Sequence, residues 1–201
     1  MKESCYQKIK SHMLSAEKGT VFATADFKSF GSSDAVRQAL SRLAKEGICR
    51  RAVPGIYYRP FFSSLLKKEM PPVSYDVAHA LARNYSWKIV PSPIHAQNDL
   101  GISTQVPAQV IYTSTGPSRK YIVGNIPVEF KHSRSKFMTN MSYKSALVTN
   151  ALQDLKPFGI SKDIIYTISN KLSNDEKDSL KRELHFAPVW LQPHLQKIVS
   201  M

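Results

Sequence analysis

Residues 32–60, SSDAVRQALSRLAKEGICRRAVPGIYYRP, decide how this chain is read. Apolar side chains recur at Val36, Ala39, Leu40 and Leu43, a spacing that gathers them on one face of a helix. Arg37, Ser41, Arg42 and Lys45 fall mostly on the other side, free to point outward. Ser32 or Ser33 suits the helix start, where a hydroxyl accepts a hydrogen bond from an orphan amide, and Asp34 suits the positive end of the macrodipole. Gly47 can close the helix in the left-handed conformation that other residues avoid. Residues 48–53 then read as a strand, Pro54-Gly55 as a turn and 56–59 as a returning strand.

Working outward, Ile9, Met13 and Leu14, preceded by Tyr6, supply the buried stripe of a first helix. Val21-Phe22 suits a short strand, and Thr24 can cap a brief helix over 25–29 with Phe27 and Phe30 turned inward. Residues 30–32 become the corner of a helix-turn-helix, whose second helix enters the DNA major groove. The expectation over residues 1–70 is a winged helix-turn-helix domain. Its DNA-contacting set is Ser33, Arg37, Ser41, Arg42, Lys45, Arg50, Arg51, Tyr57 and Arg59. Arg37 and Ser41 are placed for base edges, and Arg42, Lys45, Arg50, Arg51 and Arg59 for phosphates or the minor groove. An ordinary three-helix domain with a solvated basic face is the alternative; five arginines on the helix and hairpin weigh against it.

Charge agrees with a nucleic-acid partner. The net charge is +13 over 201 residues, which favours a polyanion or an acidic protein surface. Residues 1–70 hold 13 Lys/Arg against 6 Asp/Glu, a net of +7, and the other 131 hold 15 against 9, a net of +6. Charge is therefore densest around the helix and hairpin.

The remaining composition narrows the class. Cys5 and Cys49 are too few for a disulfide framework and match no metal spacing, as expected for a reduced, cytoplasmic protein. The N-terminus MKESCYQKIK lacks the apolar core of a secretory signal, and no run approaches the ~20 apolar residues that span a bilayer. No membrane partner is expected. The six histidines form no HExxH pair, and there is no GxSxG, GxxxxGK[ST] or GxGxxG. Glu129-Phe-Lys131 hints at a nuclease pair, but a strand alternating charged and apolar residues explains it equally well. The expectation is a non-enzymatic protein without metal or cofactor.

A boundary falls at the Pro71-Pro72 pair, leaving 71–201 as a second domain. There 74–85 reads as a helix, 88–90 as a strand, and Ser92-Pro93 opens a helix through Asn98. Residues 109–114, 120–123 and 127–131 read as strands around turns at Gly116-Pro117 and Gly124-Asn125. Helices follow over 143–155, 162–172, 174–184 and 188–199. The fold class is α+β, a small sheet followed by a helical C-terminal tail. Asn98, Ser103, Thr104 and Gln105 beside glycine and proline are read as cap and turn chemistry that holds a surface shape.

Residues 78–121, AHALARNYSWKIVPSPIHAQNDLGISTQVPAQVIYTSTGPSRKY, resemble the second domain of AbiEi-type antitoxins. These belong to type IV toxin–antitoxin systems, associated with abortive phage infection. The resemblance is carried by Ile89-Val-Pro-Ser, Ala96, Asn98, Leu100-Gly101, Ser103-Thr-Gln-Val-Pro and Tyr112-Thr-Ser-Thr-Gly. Residues 33–59, ending in Pro54-Gly-Ile-Tyr-Tyr, resemble the N-terminal winged helix of that group. The resemblance implies repression of the operon's own promoter and neutralisation of a nucleotidyltransferase-like toxin, which need not involve a stable complex. Arg119, Lys120, Lys131, Arg134 and Lys136, on and after the strands, are the candidates for meeting that partner, and solvated strand edges explain them equally well. A stand-alone winged-helix regulator, with a C-terminal effector-binding or dimerisation domain, is the alternative.

Overall fold

In a computed structural model, residues 3–105 and 109–201 are described. Val106 and Pro107 of the 103–107 motif lie outside the described residues. The chain is mixed α+β and divides into two compact units. Residues 1–87 with 120–128 make the first, and 88–119 with 129–201 the second. No helix among the described residues is long and apolar enough to cross a membrane.

In the first unit, helix α1 (Cys5–Ser15) starts at a reciprocal cap. Ser4 Oγ accepts from the Gln7 amide at 3.3 Å, and Gln7 Oε1 accepts from the Ser4 amide at 3.3 Å. Ile9 and Met13 are buried as expected, but Leu14 faces solvent. Strand β1 (Val21–Ala23) leads into a 3-10 turn (Thr24–Phe27). That turn is capped by Asp26, whose carboxylate accepts from the Ala23 amide at 2.8 Å; Thr24 instead donates its hydroxyl to the Gly55 carbonyl at 3.0 Å.

Helix α2 (Ser33–Lys45) buries Val36, Ala39, Leu40 and Leu43, the stripe expected from their spacing. Ser32 Oγ accepts from the Ala35 amide at 3.3 Å. At the other end Gly47 takes φ 77°, which lets the Gly47 amide reach the Ala44 carbonyl at 3.2 Å and the Ile48 amide the Leu43 carbonyl at 3.0 Å. Strands β2 (Arg50–Val53) and β3 (Ile56–Tyr58) join through Pro54-Gly55, and β1 pairs antiparallel with β3, giving the order β1-β3-β2. The register shifts between Arg51 and Val53. The core beneath gathers Ile9, Met13, Phe22, Phe27, Leu40, Leu43, Cys49 and Tyr57.

Two features of this unit depart from the sequence reading. Residues 61–70 form a second antiparallel hairpin, β4 (Phe61–Ser63) and β5 (Lys68–Met70), where no element was expected. Helix α3 (Ser74–Tyr85) groups with the first unit, so the division falls after Trp87 rather than at Pro71-Pro72. Arg83 explains much of this. Its Nε and Nη2 each donate to the Asp26 carboxylate at 3.2 Å, while Asn84 Oδ1 accepts from the Ala25 amide at 3.2 Å. The helix thus satisfies the polar groups of the 3-10 turn.

In the second unit, strand β6 (Ile89–Pro91) pairs antiparallel with β7 (Val110–Ser114). The sheet continues through β9 (Ile126–His132) to β8 (Arg119–Val123), and the distal part of that last hairpin, 120–128, counts with the first unit. Helices α4 (Pro93–Asp99), α5 (Lys136–Asn140), α6 (Tyr143–Leu155), α7 (Lys162–Lys171), α8 (Asn174–Glu183) and α9 (Gln192–Val199) complete it. Helix α6 is the centre of this core, buried all round from Ser145 to Leu152. Its polar members are each matched. Asn150 donates to the Pro91 carbonyl at 2.8 Å and Thr149 to Met141 Sδ at 3.4 Å; Ser145 accepts from Ser142 at 2.9 Å.

Candidate nucleic-acid interface

The outer face of α2 is polar because its apolar stripe is spent on the core. Arg37, Gln38, Ser41, Arg42 and Lys45 are exposed and line one shallow depression along the helix. Gln38 was missed in the sequence, although it lies three residues before Ser41 on the same face. At the start of the helix a cleft of about 450 Å³ is lined by Ser33, Arg37, Lys28, Thr24 and Asn84 among others. Lys28 and Asn84 had no local signal, since they reach the cleft from the 3-10 turn and from α3.

Several of these cations are already paired. Arg37 donates to Asp34 one helical turn earlier, an exposed pair worth about 0–1 kcal/mol and readily exchanged for a phosphate or base. Arg42 donates from Nε to Glu46 at 3.0 Å and lies 4.7 Å above the Tyr6 ring. The Tyr6 hydroxyl donates to the same carboxylate at 2.5 Å. That hydroxyl above all, with Arg42 and Lys10, holds the Glu46 carboxyl below its usual range. Arg42 is therefore tied to both Glu46 and the Tyr6 ring of α1, whereas Ser33, Ser41 and Lys45 are exposed on the same helix.

On the sheet the expected set separates. Arg51 is exposed on β2, and Arg50 pairs with Glu69 of β5 at 3.4 Å. Tyr57, expected among the DNA contacts, is 9 % exposed and packs in the core, so little of it is presented to a partner. Arg59 is half-buried: its guanidinium donates to the Ala16 carbonyl just past α1, while its backbone amide donates to the Thr20 carbonyl at 2.9 Å. Both were expected to contact DNA, and residue type alone does not report how far a side chain is turned into its own unit.

The second group is more dispersed. Arg119 and Lys120 are exposed on β8, Lys131 on β9, Arg134 on the connection that follows and Lys136 at the start of α5. Near them His132 Nδ1 lies 2.8 Å from the Gly116 carbonyl, and its backbone amide donates to Ser118 Oγ at 3.0 Å, fixing the turn beneath the hairpin. In the 98–105 segment, Asn98 Nδ2 donates to the Gln105 carbonyl, and Ser103 Oγ accepts from the Gln105 amide at 3.2 Å, the turn chemistry expected there.

Comparison with curated proteins returns no match. Residues 8–180 match the model of a family described as a Family of unknown function (DUF6088), which covers most of the chain. This protein therefore belongs to the DUF6088 family.

Proposed function

We propose that this protein is a cytoplasmic DNA-binding repressor that also serves as the antitoxin of a type IV toxin–antitoxin system. The first unit is read as a winged helix-turn-helix: the order β1-β3-β2 behind a capped helix is the arrangement that such a module uses. The observation that carries the DNA reading is the outer face of α2, with Arg37, Gln38, Ser41, Arg42 and Lys45 in one row above a buried apolar stripe. Helix residues of this kind reach base edges, and the surrounding net positive charge supplies phosphate affinity that falls with salt. The antitoxin half rests on the sequence resemblance over residues 78–121, with Arg119, Lys120, Lys131, Arg134 and Lys136 as candidates for meeting a nucleotidyltransferase-like toxin. The role requires no catalytic step from this chain.

Full-length protein should retard DNA from upstream of its own reading frame. Arg37→Ala should weaken that binding by about 1–3 kcal/mol and relax sequence preference. Arg51→Ala should weaken operator and random DNA alike. Equal losses on both DNAs for Arg37→Ala would refute base reading by α2. Co-expression with the adjacent toxin tests the second half: growth rescue by the Arg37→Ala/Arg42→Ala protein supports separable neutralisation, and loss of rescue refutes it.

A further inference from the structure

We propose that the β4–β5 hairpin is the element that enters the DNA minor groove, with Leu65 and Leu66 as an apolar wedge and Lys67 and Lys68 on the flanking phosphates. The inference rests on the DNA-binding reading above and deepens it by naming a second DNA-contacting element.

The short turn between β2 and β3 is poorly placed for that role. The Gly55 carbonyl accepts from both the Thr24 amide at 2.9 Å and the Thr24 hydroxyl at 3.0 Å. A side chain at Gly55 would meet Asn84 at 3.1 Å, so the turn is packed against its own unit. The next hairpin is the opposite. Leu65 is 88 % exposed, Phe62 61 %, Leu66 53 % and Phe61 44 %. Four large apolar side chains within six residues are far more than a solvated tip needs. The tip is nevertheless built: the Leu66 amide donates to Ser63 Oγ at 3.2 Å, and β5 is fastened by Glu69, which accepts from the Tyr58 hydroxyl at 3.2 Å and pairs with Arg50.

Arg50 also places the hairpin relative to α2. Its Nη1 lies 3.6 Å from where a Cβ on Gly47, the residue that ends the helix, would sit. Arg50 thus bridges the end of α2 and Glu69 of β5, the strand that begins at Lys68 directly after Lys67. Charge selects the occupant. A second copy of this chain would bring another unit carrying the same positive excess against it, whereas a polyanion with an apolar crevice matches both the leucines and the lysines. The minor groove is such a surface, and leucine or phenylalanine wedges there partly unstack a base step and bend the duplex.

The test uses full-length protein, upstream DNA and end-to-end fluorescence transfer to read bending. Leu65→Ala/Leu66→Ala changes only exposed side chains and should leave the melting temperature unchanged. It should bind about tenfold more weakly, with most of the bend lost. Lys67→Ala/Lys68→Ala should reduce the slope of log affinity against log salt by about 2. Wild-type affinity and bending in the leucine variant, alongside weak binding by Arg37→Ala, would overturn the hairpin assignment and leave α2 as the reader. A leucine variant that loses self-association in sedimentation but keeps wild-type DNA binding and bending would overturn it in favour of a second copy. Wild-type protein that fails to bind DNA at low salt would overturn both readings.

Discussion

Replacing Gly55 by alanine tests how firmly the β2–β3 turn is held, and Gly47 provides the control. Both glycines have left-handed backbones, at φ 80° and φ 77°. An alanine in that region costs roughly 1–2 kcal/mol in backbone strain, partly offset by about 0.4–1 kcal/mol because the unfolded chain becomes stiffer. The net loss at Gly47 should be about 1 kcal/mol, since the nearest atom to a new Cβ is the end of the Arg50 side chain at 3.6 Å. At Gly55 the new methyl would lie 3.1 Å from Asn84 Nδ2. Asn84 must then shift, and its 3.2 Å hydrogen bond from the Ala25 amide is weakened, adding about 1 kcal/mol. Gly55→Ala should therefore destabilise by about 2 kcal/mol, roughly twice the effect of Gly47→Ala. Urea unfolding followed by tryptophan fluorescence and far-ultraviolet dichroism compares the two directly, with Trp87 in the first unit. Equal losses in the two variants would show that Asn84 does not pin the turn.

In the second unit, Asn150→Ala leaves the Pro91 carbonyl without its 2.8 Å donor in a buried setting and should cost about 1–3 kcal/mol in urea unfolding. Burial pushes the Cys49 thiol up to about 11, so at pH 8 iodoacetamide should modify Cys5 well before Cys49, with Cys49 following only on unfolding; mass spectrometry reads both. Burial holds the His79 and His95 imidazoles below the ordinary value of 6.5, so the unfolded chain binds more protons than the folded one as pH falls through that value. Stability should therefore fall on acidification from pH 7.5 to 5.5, and His79→Gln/His95→Gln should flatten the decline in urea midpoint.

Local signals carried much of the first unit. The four-residue apolar stripe of α2, the Ser32 cap and Gly47 lie within one stretch, and each agrees with the others, so the helix and its ends are legible. The β4–β5 hairpin was hidden because Phe61-Phe-Ser-Ser-Leu-Leu has neither a strand's alternation nor a helix's period; both phenylalanines are exposed, so burial never imposed one. The grouping of α3 depends on Arg83 meeting Asp26 and Asn84 meeting Ala25, pairs more than fifty residues apart. No window of sequence shows such a contact. Tyr57 and Arg59 were hard to place for a related reason: β3 buries both Ile56 and Tyr57, a pattern without alternation, and the partner of Arg59 lies at the end of α1.

The interleaving of the two units has a consequence for biosynthesis. The chain leaves the first unit after Trp87, comes back for residues 120–128 and leaves again. Within the returning segment, Gly124 lies so near Pro71 that an added Cβ would stand 3.0 Å from it. A ribosome adding 5–20 residues per second needs roughly two to eight seconds to travel from codon 87 to codon 128. During that interval α2 and its flanking strands are already made while the last piece of their unit is still to come. Transcripts broken before codon 120 yield a unit lacking its closing segment, and a gene fusion that borrows residues 1–87 as one continuous cassette leaves that segment behind.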